Sequence, residues 1–146
     1  MCWTHRTAPV FQIFTQEVRK MIQELKKRVD ALYLEYIFPV LATLRLGEDP
    51  ATVAYEAELF EAAKAAGIKV RRYIMPEDLS MEDVTELIRG INQDALLSAF
   101  LLLEPLPAHL DAAAVKALID PKKALEPAPA PELLTRVADA AQRSAK

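Results

Sequence analysis

The chain has 146 residues, long enough for one domain with a proper core and too short for two full α/β domains. An apolar fraction of 52%, a charged fraction of 27% and a net charge of -3 are those of an ordinary globular protein, with no reason to expect nucleic acid or an anionic membrane as partner. The lone Cys2 excludes an internal disulfide and no Cys/His cluster exists to hold structural zinc. No apolar run reaches the roughly 18 residues of a membrane span, and the start has no signal-peptide core, so the expectation is a cytoplasmic protein.

Residues 1 to 8 are expected to fray. From Pro9, apolar residues at Phe11, Phe14, Val18, Ile22, Leu25, Val29 and Leu32 follow the three-and-four spacing of one helix face, with Lys20, Lys26, Lys27 and Arg28 on the solvated side. Val40 to Leu46 then reads as a buried strand, mixing Leu, Val, Thr and Ala with one Arg, and ends at Gly47. Asp49-Pro50 opens the next helix, the acid capping free amides and the proline fitting the first turn, and Gly67 closes it. A second strand is predicted over 68–75. After it, Ser80-Met81-Glu82-Asp83 starts a helix that turns Val84, Leu87, Ile88 and Ile91 inward. A third strand, 97–103, stops at Glu104-Pro105-Leu106-Pro107, and a short helix follows from about 111 to 119.

Glu126-Pro127-Ala128-Pro129-Ala130-Pro131 is a stiff, extended tract that reads as a linker over 127–131. The stretch 132–146 forms a last helix with Leu133, Leu134 and Val137 on one side. Alternating helix and strand predict a single three-layer α/β domain over 1–146, a parallel sheet with helices on both faces. A strand, a Gly-Glu-Asp-Pro turn and a helix form the unit on which α/β proteins build sites, because the helix starts where the strand's carboxyl end collects ligands. Thr52, Tyr55 and Leu59 stand on the first turns of that helix.

Several segments carry a resemblance: LATLRLGEDPAT, the helix start with Tyr55 and its closing AAGI, MPEDLSMEDVTELIRGINQD, and LLLEPLPAHLDAAAVKALIDPKKALE. Over about residues 18 to 126 the chain resembles the catalytic domain of the bifunctional methylenetetrahydrofolate dehydrogenase/cyclohydrolase family. The resemblance implies a one-carbon folate held at the carboxyl ends of the strands, facing a separate nucleotide-binding domain for NADP. The family motif Ser-x-x-Tyr-x-x-x-Lys implies a tyrosine packed on the folate rings and a lysine for the cyclohydrolase step. Here Thr52 replaces the serine, Tyr55 matches, and Leu59 holds the lysine position. A leucine neither transfers a proton nor stabilises developing charge. Lys64, nine residues beyond Tyr55, falls on the opposite face of the helix and does not replace it.

In the family's Gln-Leu-Pro-Leu-Pro motif the glutamine helps place the pterin; Leu103-Glu104-Pro105-Leu106-Pro107 puts a leucine there. Of the family's Asp-Val-Asp-Gly, Ala124-Leu125-Glu126-Pro127 keeps only Glu126 as a shifted carboxylate. Thr52, Tyr55, Leu59, Leu103, Glu104, Pro105 and Glu126 are therefore the candidate ligand-binding residues, with no catalytic group and no metal site among them. The final helix resembles the family's returning helix, and the Pro-Ala tract stands where the nucleotide-binding domain would be. With Gly47, Gly67 and Gly90 as the only glycines, no Gly-x-Gly-x-x-Gly exists, so no cofactor is expected. The alanine-rich helices and few glycines point to an engineered or degenerate domain.

Each singled-out residue also has a plain structural reading. Tyr55 competes with a half-buried helix tyrosine whose hydroxyl reaches water. His109 reads as a surface or capping residue, Glu48 and Asp49 as turn and cap, and Glu104 as an acid at the site's mouth with no partner visible in sequence. The expected function is a non-catalytic scaffold or weak binder of a flat, folate-like aromatic ligand. The alternative is a working methylenetetrahydrofolate dehydrogenase/cyclohydrolase-related enzyme. A third class is an interaction domain that self-associates through surface stripped of its partner.

Overall fold

In the computed structural model, which describes residues 14–145, the chain runs α1 (Gln16–Leu34), β1 (Val40–Leu46), α2 (Pro50–Ala66), β2 (Lys69–Met75), α3 (Met81–Gln93), β3 (Ala99–Leu102), α4 (Ala112–Ala117) and α5 (Ala130–Ser144). The strands form one parallel sheet in the order β2-β1-β3, with Leu41 opposite both Val70 and Ala99. The expected fraying of residues 1 to 8, and Phe11 on the first helix, lie outside the described residues.

Local chemistry fixes the element ends. Thr15, Asp49, Ser80 and Asp111 each accept an amide hydrogen from the first turn of the helix they open, satisfying donors that have no intrahelical partner. Gly67 ends α2 at φ 84°, a left-handed conformation that a β-carbon would strain.

Alternation along β1 sends Leu41, Thr43 and Arg45 to one face and Ala42, Leu44 and Leu46 to the other. On the first face lie α1, α2 and α5, whose Ile22, Val29, Leu59, Leu133, Leu134 and Val137 close one core cluster. On the second, Val84, Ile88 and Ile91 of α3 and Val115 of α4 meet Phe100 and Leu102. The parallel sheet is thus covered on both faces, as the alternation of elements requires.

The outer strand β2, expected as a strand, is the least buried of the three, because Lys69, Arg71, Arg72 and Ile74 are exposed. It is an edge, with β1 on one side only, and its basic side chains solvate what a central strand would bury. On the opposite edge the chain after α4 runs beside β3. Phe100 donates its amide to Lys123 and accepts one from Leu125, which adds a one-residue parallel bridge at Ala124.

α5 returns onto the domain directly. Leu133, Leu134 and Val137 are fully buried against α1 and α2, and Arg28 of α1 reaches Asp139 at 2.7 Å and Gln142 at 2.9 Å. The helix begins at Ala130, so the second half of the Pro-Ala tract forms its first turn.

Candidate functional site

The site is built where β1 and β3 end and α2 begins. Arg45, the one charged residue of β1, turns its guanidinium back over Gly47, donating to that carbonyl at 2.6 Å and to Glu56 Oε1 at 3.1 Å. Both side chains of this ion pair are buried, and Glu56 Oε2 has no hydrogen-bond partner. The pair ties the strand end to α2 one residue beyond Tyr55. Asp49 then holds the start of α2, accepting from the Thr52 amide at 3.2 Å, and the Thr52 hydroxyl lies 3.1 Å from the same carboxylate and 2.8 Å from the Glu104 carbonyl. Strand end, turn and helix start are thereby locked together.

A cavity of about 280 Å³ opens beside this junction, lined by Thr52, Tyr55, Leu103, Glu104, Pro105 and Pro127 among others. It lies close to the lower limit of small-molecule pockets. A larger groove of about 680 Å³ shares Asp49 and Pro105 with it in the linings and extends over the ends of β1 and β2, past Glu48, Met75, Glu77 and Leu106.

Five of the seven sequence candidates meet at the cavity: Thr52, Tyr55, Leu103, Glu104 and Pro105. Leu59 does not. It is 1% exposed and lies in the same buried core cluster as Val29 and Leu101, so the position carries no charge and does not line the cavity. Glu126 is exposed and follows the bridge to β3, and its neighbour Pro127 lines the cavity in its place. The Tyr55 hydroxyl donates to the Ala128 carbonyl at 2.6 Å rather than to water. Burial holds the phenol above its ordinary pKa. Its ring is thereby pinned from both ends, by α2 and by the Pro-Ala tract.

Glu104 does have a partner: Lys116 of α4 lies 2.5 Å from its carboxylate, and the hydrogen bond and charge of Glu104, with a further contribution from Glu126, raise the lysine's pKa. Sequence reasoning missed this lysine, since only the fold brings α4 to the end of β3. It also missed the Arg45–Glu56 pair, whose signal was present: an arginine inside an apolar strand requires a buried acceptor. His109 contacts the Leu79 carbonyl at 2.9 Å, a loop-tying role. Among the described residues no group of His, Cys, Asp or Glu is placed to hold a metal, and no helix is long and apolar enough to cross a membrane.

Known proteins are similar to this chain in sequence and fold. The family profile described as tetrahydrofolate dehydrogenase/cyclohydrolase, catalytic domain, matches residues 13–126. The bifunctional protein FolD of a Nitratiruptor species is 34% identical over 112 residues, which cover 77% of this chain and 38% of that protein. FolD of Prochlorococcus marinus is 40% identical over 85 residues, 58% of this chain and 28% of the relative. The crystal structure of FolD methylenetetrahydrofolate dehydrogenase/cyclohydrolase from Campylobacter jejuni superposes with a TM-score of 0.71 at 27% identity, covering 73% of this chain and 38% of that one. The chain therefore spans well under half the length of these relatives. With the profile matching most of its residues, the chain belongs to the tetrahydrofolate dehydrogenase/cyclohydrolase catalytic-domain family.

Proposed function

We propose that this domain handles one-carbon folates, as a relative of the methylenetetrahydrofolate dehydrogenase/cyclohydrolase enzymes, and that it seats a flat pterin-type ring against Tyr55 in the cavity at the end of β3. The observation that carries the reading is the cavity itself: an aromatic ring fixed at both ends, an apolar wall from Leu103 and Pro105, and polar edges at Thr52 and Glu104, at the carboxyl ends of the strands where the resemblance implies a folate. A pre-fixed ring stacks on a ligand without losing side-chain freedom, which lowers the cost of binding.

The chemistry of the site differs from what the family motif implies, because proton transfer through position 59 is closed to a buried leucine. Family membership favours a working enzyme over the bare scaffold expected from sequence. For such an enzyme the ionisable groups on hand are Asp49 and Glu104 in the cavity lining, with Lys116 paired to Glu104 from α4. Their part is to hold or pass a proton where the ligand's edge meets solvent.

A second reading, binding without turnover, is favoured by Leu59 alone. The residues present do not fit a dinucleotide: Gly47 and Gly67 serve turns with positive φ, and Gly90 lies within α3, so no glycine-rich loop is left to cradle a pyrophosphate.

The test is binding of folic acid followed by ligand fluorescence, with hydrolysis of methenyltetrahydrofolate measured by absorbance on the same samples. Saturable binding, weakened at least about tenfold in Tyr55→Ala as loss of a stacking contact of ~1.4 kcal/mol implies, supports the folate reading. Turnover that falls in Lys116→Met and Glu104→Gln identifies a working enzyme, and binding without turnover supports the second reading. Neither binding nor turnover removes both.

A further inference from the structure

The amino end of the sheet, opposite the folate cavity, carries a groove of about 740 Å³ that the folate reading leaves unused. It runs between the Tyr36–Phe38 loop, the starts of β1 and β2, the Leu96–Ser98 segment and the end of α5, and its volume is that of a small-molecule site. The sign of its lining sets it apart. Among the described residues its charged lining is Lys69 and Arg71, with no acid. The folate cavity is lined instead by Asp49 and Glu104, and the groove beside that cavity by Glu48, Asp49 and Glu77, with no base in either.

Two donors in the groove are open. Arg71 is committed to Asp94 at 2.8 Å, and that ion pair adds little net charge. Lys69 is exposed, and its ammonium makes no ion pair or hydrogen bond among the described residues. Ser98, only 9% exposed, accepts the Val40 amide hydrogen at 3.1 Å, which leaves its own hydroxyl hydrogen to donate. Lys69 lies opposite Val40 in the pairing of β1 with β2, and Ser98 holds Val40 from the other side, so the two donors flank one residue. An ammonium and a hydroxyl that both donate, with no carboxylate in the lining, select an anion.

The apolar part of the lining is pre-formed. Tyr33 donates its hydroxyl to the Gly67 carbonyl and meets the Phe38 ring edge-on at a centroid distance of 5.3 Å. The Ile37 and Glu35 amides both return to the Leu32 carbonyl, closing the loop on α1. Tyr36 holds φ 60°, a left-handed conformation uncommon for a residue with a β-carbon, and the loop spends that strain on presenting an aromatic ring. A flat apolar body lies against such walls without freezing loose side chains, which keeps the cost of binding low. We propose that this groove is a second ligand site, separate from the folate cavity, that takes a small organic anion with a flat aromatic body: the body rests against Tyr36, Phe38 and Leu96, and the anionic group lies between Lys69 and the Ser98 hydroxyl.

The experiment is a fluorescence titration of the whole chain with anilinonaphthalene sulfonate, an aromatic anion, and in parallel with phenylnaphthylamine, which has the same rings and no charge. Melting curves establish that each variant folds. The sulfonate is expected to bind saturably at a single site per chain, at least about tenfold more tightly than the neutral amine. Lys69→Glu and Leu96→Glu, both at exposed positions, should each weaken it at least about tenfold by setting an acid beside the anion, while Lys69→Arg should stay within about threefold of wild type. Tyr55→Ala, in the folate cavity, should leave the affinity for the sulfonate unchanged. Absence of saturable binding, or indifference to Lys69→Glu and Leu96→Glu, would overturn the proposal. So would equal affinity for the neutral amine, which would mark the groove as an apolar contact surface for another protein, and so would a loss in Tyr55→Ala, which would put the probe in the folate cavity.

Discussion

On the α3/α4 side of the sheet, Ala42, Leu44, Phe100 and Leu102 meet Val84, Ile88 and Ile91, with no buried charge among the described residues there. On the α1/α2/α5 side the same strand β1 presents Thr43 and Arg45, and both of the buried charges among the described residues, Arg45 and Glu56, are found there. One face is a plain hydrophobic contact; the other admits desolvated polar groups and leaves Thr43 Oγ1 and Glu56 Oε2 without partners. Desolvating charge opposes folding unless geometry compensates, so the polar face gives up stability where it positions the start of α2 and hence Thr52 and Tyr55. The α1/α2/α5 face thus both holds the fold and positions the site, whereas the α3/α4 face holds the fold alone.

The contrast breaks most visibly if the polar face loses the helix that covers it. A chain ended at residue 129 exposes the partners of Leu133, Leu134 and Val137, all fully buried, and at roughly 1.5–3 kcal/mol each the loss rivals a domain's whole stability of about 5–15 kcal/mol. The expected result is loss of a cooperative thermal transition by circular dichroism, and an unchanged transition would show the α3/α4 face to be sufficient.

Next in size is the ion pair. Glu56→Ala leaves the Arg45 guanidinium buried with only the Gly47 carbonyl, and should cost about 3–5 kcal/mol in urea unfolding. Arg45→Leu combined with Glu56→Val should be neutral, or stabilising by about 1–4 kcal/mol, while loosening the Gly47 turn and weakening folate binding. A single substitution costing under about 1 kcal/mol would mean that solvent reaches the pair and that the two faces do not differ in kind.

The smallest effect sharpens the same contrast. Thr43→Val removes an unpaired hydroxyl at nearly constant shape and should stabilise the chain by about 1 kcal/mol, read as a rise of a few degrees in melting temperature. A fall would show that the hydroxyl has a partner, such as an ordered water.

Much of this architecture is legible in the sequence because its signals are local. Caps at Asp49 and Ser80, the glycine at 67 and the apolar runs of β1 and β3 each depend on a few neighbouring residues. The length and flanking turns of β2 suit a buried strand, although the run Lys69-Val70-Arg71-Arg72 already has an edge strand's charge. The site is half legible. Motif positions locate Thr52, Tyr55 and Leu103 at the cavity, since strand ends and helix starts converge in this fold. What sequence leaves out is pairwise and distant: Lys116 beside Glu104, and Ala128 against Tyr55, contacts set by how α4 and the Pro-Ala tract cross the end of the sheet.

That crossing has a topological consequence. The chain leaves the edge of β3 at Leu125 and enters α5 at Ala130, so both points of departure and return lie at the same end of the domain, and the four residues between them span at most about 14 Å. The largely exposed Glu126–Pro129 stretch is thus a natural socket for inserted sequence. A polypeptide of any length spliced there would leave the β3 pairing and the α5 packing intact, and would be suspended over Pro127, directly above the mouth of the cavity.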